Sequence, residues 1–241
     1  MLLNSKLENI LFLDIETVPQ VSNYFDFSER MQELWKKKSK YFLKENEKAE
    51  DKEIFQRSGI FAEFGKIICI SVGIIFEKNG ERFFREKSFF DDNEKKLLMD
   101  FNEMLKKTKK IKMLCGHNIK EFDVPYIARR NLINGLKLPY LIDISGKKPW
   151  ELKHILDTME MWKFGDFKNY TSLDLLTEVF NIPTPKNDMD GSKVADVYWK
   201  ENNLQRIVNY CQKDVFATTQ LFLRLKSQEL ISQKNVTFAK K

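Results

Sequence analysis

The sequence predicts an α/β domain. Short apolar runs of strand length alternate with segments of helical periodicity, and Asn79-Gly80 forms a hairpin turn pair between two such runs. Near the end, Leu204, Ile207, Val208, Cys211, Val215 and Phe222 recur at helical spacing and mark a long amphipathic helix that faces a sheet.

Taken in order, Ile10-Leu11-Phe12-Leu13 reads as a buried first strand, closed by the carboxylate of Asp14 at an end that faces a site. The second strand runs from about Ile67 to Phe76 and the third from near Glu81 to Phe89, paired antiparallel across the Asn79-Gly80 turn. Asp92 or Asn93 caps a helix that carries Leu97, Leu98, Phe101 and Leu105. Ile111 to Cys115 suits a fourth strand, followed by a helix that runs to Gly135. Residues 154 to 158 suit a fifth strand, and Thr171 with Asp174 resembles a capping box ahead of another helix. Residues from about 21 to 65 read as a helical insertion between strands 1 and 2, in which Met31, Leu34, Trp35 and Phe42 form an apolar stripe among lysines and glutamates. Residues from about 227 to 241 read as a C-terminal tail.

The bulk numbers fit one domain over residues 1–241: 42% hydrophobic residues are enough to bury a real core, and nothing in the composition points to disorder. A formal net charge of +6 is compatible with a polyanionic partner but common without one. Cys69, Cys115 and Cys211 are odd in number, lack metal-ligand spacing and sit in apolar stretches, so they read as small core residues rather than a disulfide framework. The first residues are polar (Asn4, Lys6, Glu8), and no stretch is long and apolar enough to cross a bilayer, so the expectation is a soluble cytoplasmic protein with no membrane partner.

Three short segments carry chemistry. In the first, Asp14 and Glu16 stand at i and i+2 and project from one face of a strand, and two carboxylates held together call for a cation. The alternatives are a solvated strand end or a phosphatase-type aspartate pair, which Glu16 fits poorly because of its extra methylene. In the second, His117-Asn118-Ile119-Lys120-Glu121-Phe122-Asp123, Asp123 falls in the first turn of a helix that tolerates Pro125, where a simple capping role is the alternative. In the third, Tyr210 and Asp214 stand at i and i+4 on the last helix and can reach a cleft beside the core stripe, or merely pair with each other.

Together these segments closely resemble the three motifs of the DEDD superfamily, the DnaQ-like 3′-to-5′ exonucleases. Asp14 and Glu16 match the first motif, Asp123 within Asn118-x-x-x-Phe122-Asp123 the second, and Tyr210-x-x-x-Asp214 the third. The tyrosine places the chain in the DEDDy subclass, since the position of the alternative histidine is Asn209. Asp157-Thr158, Tyr210-Cys211-x-x-Asp214-Val215 and Gly59-Ile60-Phe61-Ala62-Glu63-Phe64-Gly65 resemble the stand-alone bacterial proteins related to the exonuclease domain of family B DNA polymerases.

The resemblance implies a ribonuclease-H-like fold with a mixed five-stranded sheet flanked by helices, and 3′-to-5′ removal of nucleotides. It also implies two divalent ions, Mg2+ or Mn2+, with Asp14 bridging both, Glu16 and Asp214 completing one site and Asp123 acting on the other. Tyr210 is then expected to orient the attacking water rather than to act as a full base. Ile15, Thr17, Asn118 and Phe122 are expected to touch the terminal nucleotides, and His117 either contacts phosphate or orients its loop. Asp157 is read as a strand-end hydrogen-bond acceptor, Lys186 and Lys193 as a clamp on the strand, and the clusters Lys36, Lys37, Lys38 and Lys40 and Lys106, Lys107, Lys109, Lys110 and Lys112 as solvated faces, with tracking of a phosphate backbone as the alternative. The expected substrate is a single-stranded or frayed 3′ end, DNA ahead of RNA. A trimmer of RNA and a binding module without chemistry are the alternatives.

Overall fold

A computed structural model describes residues 6–43, 54–166, 170–183 and 189–239. The sheet is built from β1 (Ile10–Pro19), β2 (Gly65–Lys78), β3 (Glu81–Phe90), β4 (Met113–Gly116), β5 (Ile155–Asp157) and β6 (Val236–Phe238), in the order β5-β4-β1-β2-β3-β6. The helices are α1 (Glu29–Leu43), α2 (Glu94–Lys107), α3 (Asp123–Ile133), α4 (Thr158–Lys163), α5 (Leu173–Val179), α6 (Val194–Trp199) and α7 (Leu204–Leu225).

The first half of β1 alternates between the two faces of the sheet. Leu11, Leu13 and Ile15 face one side of the sheet, packed with Leu97, Leu98 and Phe101 of α2 and Ile127 of α3. Ile10 and Phe12 face the other side, against Val215, Phe216 and Phe222 of α7. The sheet is therefore covered on both faces, and the even-numbered residues of β1 look toward α7. The α2 cap is Asn93, whose side chain accepts from the Lys96 amide.

The sixth strand departs from the expected five. The segment read as a tail from about residue 227 docks instead: the Gln220 side chain accepts from the Ile231 amide at 2.9 Å and donates to the Ile231 carbonyl at 2.8 Å, and β6 then pairs parallel to Phe84–Glu86. A second departure is at α5, capped by Ser172 through the Leu175 amide rather than by Thr171. The Thr171 carbonyl is taken by His117, which leaves the cap one residue later.

The insertion is helical, as expected, but it is integral to the domain. Trp35 of α1 is fully buried beside Phe55 and Phe64, in a cluster that also holds Met31 and Leu34; the side chain of Phe42 lies outside the described residues. This cluster braces the 3-10 segment Phe55–Ile60 against the end of β1. From the other side α3 holds this segment and the turn after it, with the Tyr126 hydroxyl donating to the Gly59 carbonyl at 2.7 Å and Arg130 Nη1 to the Ala62 carbonyl at 2.8 Å.

Candidate active site

Asp14 lies in the middle of β1, not at its end. On one side β2 stays paired as far as Pro19, whereas on the other β4 pairs only as far as Phe12, opposite Cys115. A simple apolar run ending in a carboxylate cannot reveal this asymmetry, which exposes one edge of β1 at the residues that matter. The vacancy is filled by a side chain: the Ile15 amide donates to Asp123 Oδ1 at 3.1 Å. The chain can turn away from β1 here because residue 116 is glycine. A Cβ on Gly116 would stand 2.7 Å from Ile119 Cβ and 3.0 Å from the Leu13 carbonyl oxygen.

Between Glu16 and Thr17 the register with β2 slips, so that Ile68 becomes an extra residue opposite β1. Such bulges bend and twist a strand and re-aim its side chains. Asp14 and Glu16 precede the bulge and face α7 together, with Asp14 partly open to solvent and Glu16 buried.

From α7, Cys211 and Asp214 reach toward this pair, with Tyr210 beside them. The Cys211 thiol lies 3.3 Å from Asp14 Oδ2 and donates to it. The Tyr210 hydroxyl donates to Asp214. Oxygen or sulfur atoms of Asp14, Glu16 and Cys211 all lie within 4.8 Å of one another, the group among the described residues with metal-ligand spacing. Cys211 read in the sequence only as part of the core stripe; its neighbour Tyr210 was the signal that this turn of the helix borders a site.

The electrostatics are those of crowded, buried acids, with Lys213 opposing the shift of Asp214 alone among the four. Burial, followed by repulsion from Asp123 and Asp214, holds the Asp14 carboxyl well above its ordinary range, and burial plus Asp14 and Asp214 does the same to Glu16. Burial pushes Asp123 up to about 7 against the opposing hydrogen bond from Ile15, and Asp214 up to about 6 against that from Tyr210. The Tyr210 phenol is raised far above its usual value by burial and by Asp214. The four carboxylates and the tyrosine named from the sequence thus sense one another electrostatically, although they come from three distant segments.

The loop after β4 is shaped by Asp157. Its carboxylate accepts from the amides of Asn118 (3.0 Å) and Lys120 (3.1 Å), and also caps α4 through Met159 (3.0 Å). It therefore serves as the backbone acceptor the sequence suggested. Asn118 takes a left-handed conformation (φ 61°), which asparagine tolerates, and its Oδ1 is buried with no hydrogen-bond partner among the described residues. His117 is fully engaged: Nε2 lies 2.9 Å from the Thr171 carbonyl oxygen and Nδ1 2.9 Å from the Thr158 hydroxyl. Burial lowers its pKa, so the neutral ring donates from Nε2 and accepts at Nδ1.

Phe122 is partly buried against Tyr126, whose hydroxyl also engages Thr17. Tyr126 had no place in the sequence reading, yet it ties the 3-10 segment, β1 and α3 together beside the acids. Lys193 is exposed and paired with Asp190 at 3.5 Å, while Lys186 lies outside the described residues.

Residues 60–237 match the family described as a predicted 3′-5′ exonuclease related to the exonuclease domain of PolB. The chain belongs to this exonuclease family. The matched region contains Asp123, Tyr210 and Asp214, while Asp14 and Glu16 precede it and are joined to it through the sheet. Among solved structures, the family B DNA polymerase of the hyperthermophilic archaeon Pyrobaculum calidifontis superposes with a TM-score of 0.53 at 15% identity, over 89% of this chain and 24% of the polymerase. This exonuclease chain thus spans about a quarter of that polymerase's length, and the likeness shows a shared fold. A comparison with curated protein sequences finds no match. No helix among the described residues is long and apolar enough to cross a membrane.

Proposed function

We propose that this exonuclease removes nucleotides from single-stranded or frayed 3′ ends, with DNA as the substrate, by a mechanism that uses two divalent metal ions, Mg2+ or Mn2+. The observation that carries the reading is the convergence of Asp14, Glu16, Asp123 and Asp214, whose carboxyls are all raised above the ordinary range by burial, with Asp123 and Asp214 adding repulsion at Asp14, and Asp14 and Asp214 at Glu16. Crowded buried acids cost stability unless protons or cations neutralise them, so the donor set itself favours a hard cation with oxygen ligands.

Asp14, Glu16 and Asp214 would hold such ions, with Asp123 completing the set. The Cys211 thiol, pushed up by burial, stays protonated and serves as a hydrogen-bond donor to Asp14 rather than as a soft ligand. Divalent ions bound there would supply an acidified water and neutralise charge developing on the phosphoryl group.

The protein's own groups fix the remaining parts. Asp123 is held by the Ile15 amide, close enough for its charge to act on Asp14. Tyr210 stays protonated, so it positions a water through its hydroxyl and cannot act as a base. Asn118 offers an unmet acceptor to a sugar hydroxyl, Phe122 a partly open ring for stacking, and Ile15 and Thr17 the floor under the terminal nucleotide. His117 orients the loop, because both of its nitrogens already serve Thr158 and Thr171. Lys193 and Lys186 would meet the strand farther from the scissile bond.

The test is degradation of a 5′-labelled single strand by the purified protein with Mg2+ or Mn2+. Stepwise shortening that disappears in Asp14→Ala, with folding intact, is expected; unchanged shortening by that variant overturns the reading. Matched DNA and RNA strands run side by side decide between DNA and the alternative RNA substrate.

A further inference from the structure

A second concavity opens on the same face of the sheet, between α7 and the edge formed by β3 and β6. It encloses about 310 Å³ and is bordered by Glu86, Asn209, Gln212, Lys213, Phe216 and Phe238. That size lies at the lower end of small-ligand pockets. Four of these residues, Asn209, Gln212, Lys213 and Phe216, lie on α7 around the proposed catalytic pair Tyr210 and Asp214.

At its border lies a buried carboxyl with one oxygen unmet. Glu86 is 4% exposed, and its Oε1 has no hydrogen-bond partner among the described residues. Its backbone is fixed in the sheet opposite Gly73 and Phe238, so the side chain leaves the sheet on the face that carries α7. The polar neighbour Gln212 does not relieve it, since Gln212 Nε2 donates to the Ser88 hydroxyl at 2.9 Å. Burial pushes the Glu86 carboxyl up to about 8. A buried acceptor left unmet costs stability, and a ligand that meets it removes that cost.

The walls narrow the choice of ligand. The exposed ring of Phe238 and the edge of the buried Phe216 line the cavity with apolar surface suited to a flat ring, and Lys213 adds a cation at the border, which favours an anionic ligand over a cationic side chain or a metal ion. We propose that this cavity binds a nucleobase bearing an exocyclic amino group, which donates to Glu86, with the attached phosphate toward Lys213. Adenine, cytosine and guanine carry such a donor; thymine and uracil present a carbonyl oxygen in its place. The assignment builds on the exonuclease reading, for which the cavity gives a base preference at a point away from the carboxylate cluster.

The experiment measures equilibrium binding of dCMP and dUMP, and of dAMP and dIMP, to the whole chain in EDTA at pH 9, where the Glu86 carboxylate only accepts. Each pair differs by one amino group replaced with a carbonyl. The amino-bearing member is expected to bind about tenfold more tightly. Glu86→Leu should erase the difference, and Glu86→Gln, whose amide can either accept or donate, should weaken it, with thermal melting verifying that both variants fold. Equal binding within the wild-type pairs, or an undiminished preference in Glu86→Leu, overturns the proposal. Metal-dependent shortening of an oligothymidylate, which has no amino group to offer, should be unchanged in Glu86→Leu. Loss of that shortening in the wild-type protein sinks the exonuclease mechanism and leaves the binding result in EDTA standing.

Discussion

The Asp123 carboxylate accepts the Ile15 amide at 3.1 Å, 108 residues away in sequence, at the point where β1 has lost its partner β4. One oxygen of a motif acid thus completes a sheet hydrogen bond, while repulsion from its charge reaches Asp14. The two duties can be separated. Asp123→Asn keeps an acceptor for Ile15 and removes the charge, so melting should hold while nuclease activity falls by ~100-fold or more. Asp123→Ala should lose the same activity and in addition ~1–3 kcal/mol of stability, the cost of an orphaned buried amide. Denaturant unfolding beside a strand-shortening assay checks both, and equal stabilities of the two variants would remove Asp123 from the sheet's support.

Removing metal should make stability depend on pH in a defined direction. Asp123 and Asp214 are raised in the folded protein to about 7 and about 6, so the folded state holds protons that the unfolded chain has released. In EDTA their penalty is absent below the unfolded carboxylate range near pH 4 and grows until the pH passes about 7. Stability should therefore fall across that window. Mg2+ or Mn2+ should raise the melting temperature more at pH 8 than at pH 5, because bound cations replace the missing protons. A metal-induced shift of the same size at both values would argue that the acids do not form one cation site.

Tyr210→Phe tests the tyrosine without disturbing the packing of its ring. The hydroxyl donates to Asp214 and stays protonated, so its loss should lower kcat by ~100-fold with little change in KM. The alkaline limb of the pH–rate profile should keep its position. A shift of that limb would make Tyr210 the titrating base.

The site was more legible than the shape that holds it. The i, i+2 spacing of Asp14 and Glu16 and the i, i+4 spacing of Tyr210 and Asp214 are local geometry, so sequence alone shows which side chains share a face. The mid-strand position of Asp14 was hidden, because it depends on β2 continuing past the point where β4 leaves. The same is true of β6: three residues carry no periodicity, and their pairing to Phe84–Glu86 is distant in sequence. His117 illustrates a third kind of hidden information, since its engagement of Thr158 and Thr171 depends on loops meeting in space.

Glu94 shows how a residue that reads as an ordinary first-turn acid can support the site from a distance. It begins α2, yet its side chain is buried and accepts from the Ile67 amide at 2.7 Å and from Arg130 Nε at 2.8 Å. Arg130 in turn donates to the Ala62 carbonyl, so one ion pair clamps β2, α2, α3 and the segment that packs against the end of β1. Removing one partner leaves the other charge buried, and Glu94→Ala should therefore cost ~3–5 kcal/mol. Glu94→Gln, which retains the shape and one acceptor, should cost less than the alanine variant. Because the same clamp sets the position of Tyr126, which engages Thr17, both variants should also raise KM for a strand substrate more than they lower kcat. Denaturant midpoints and steady-state kinetics on folded protein check the two parts separately. A Glu94→Ala protein as stable as wild type would show that the pair contributes nothing net, while destabilisation with an unchanged KM would confine its role to the fold.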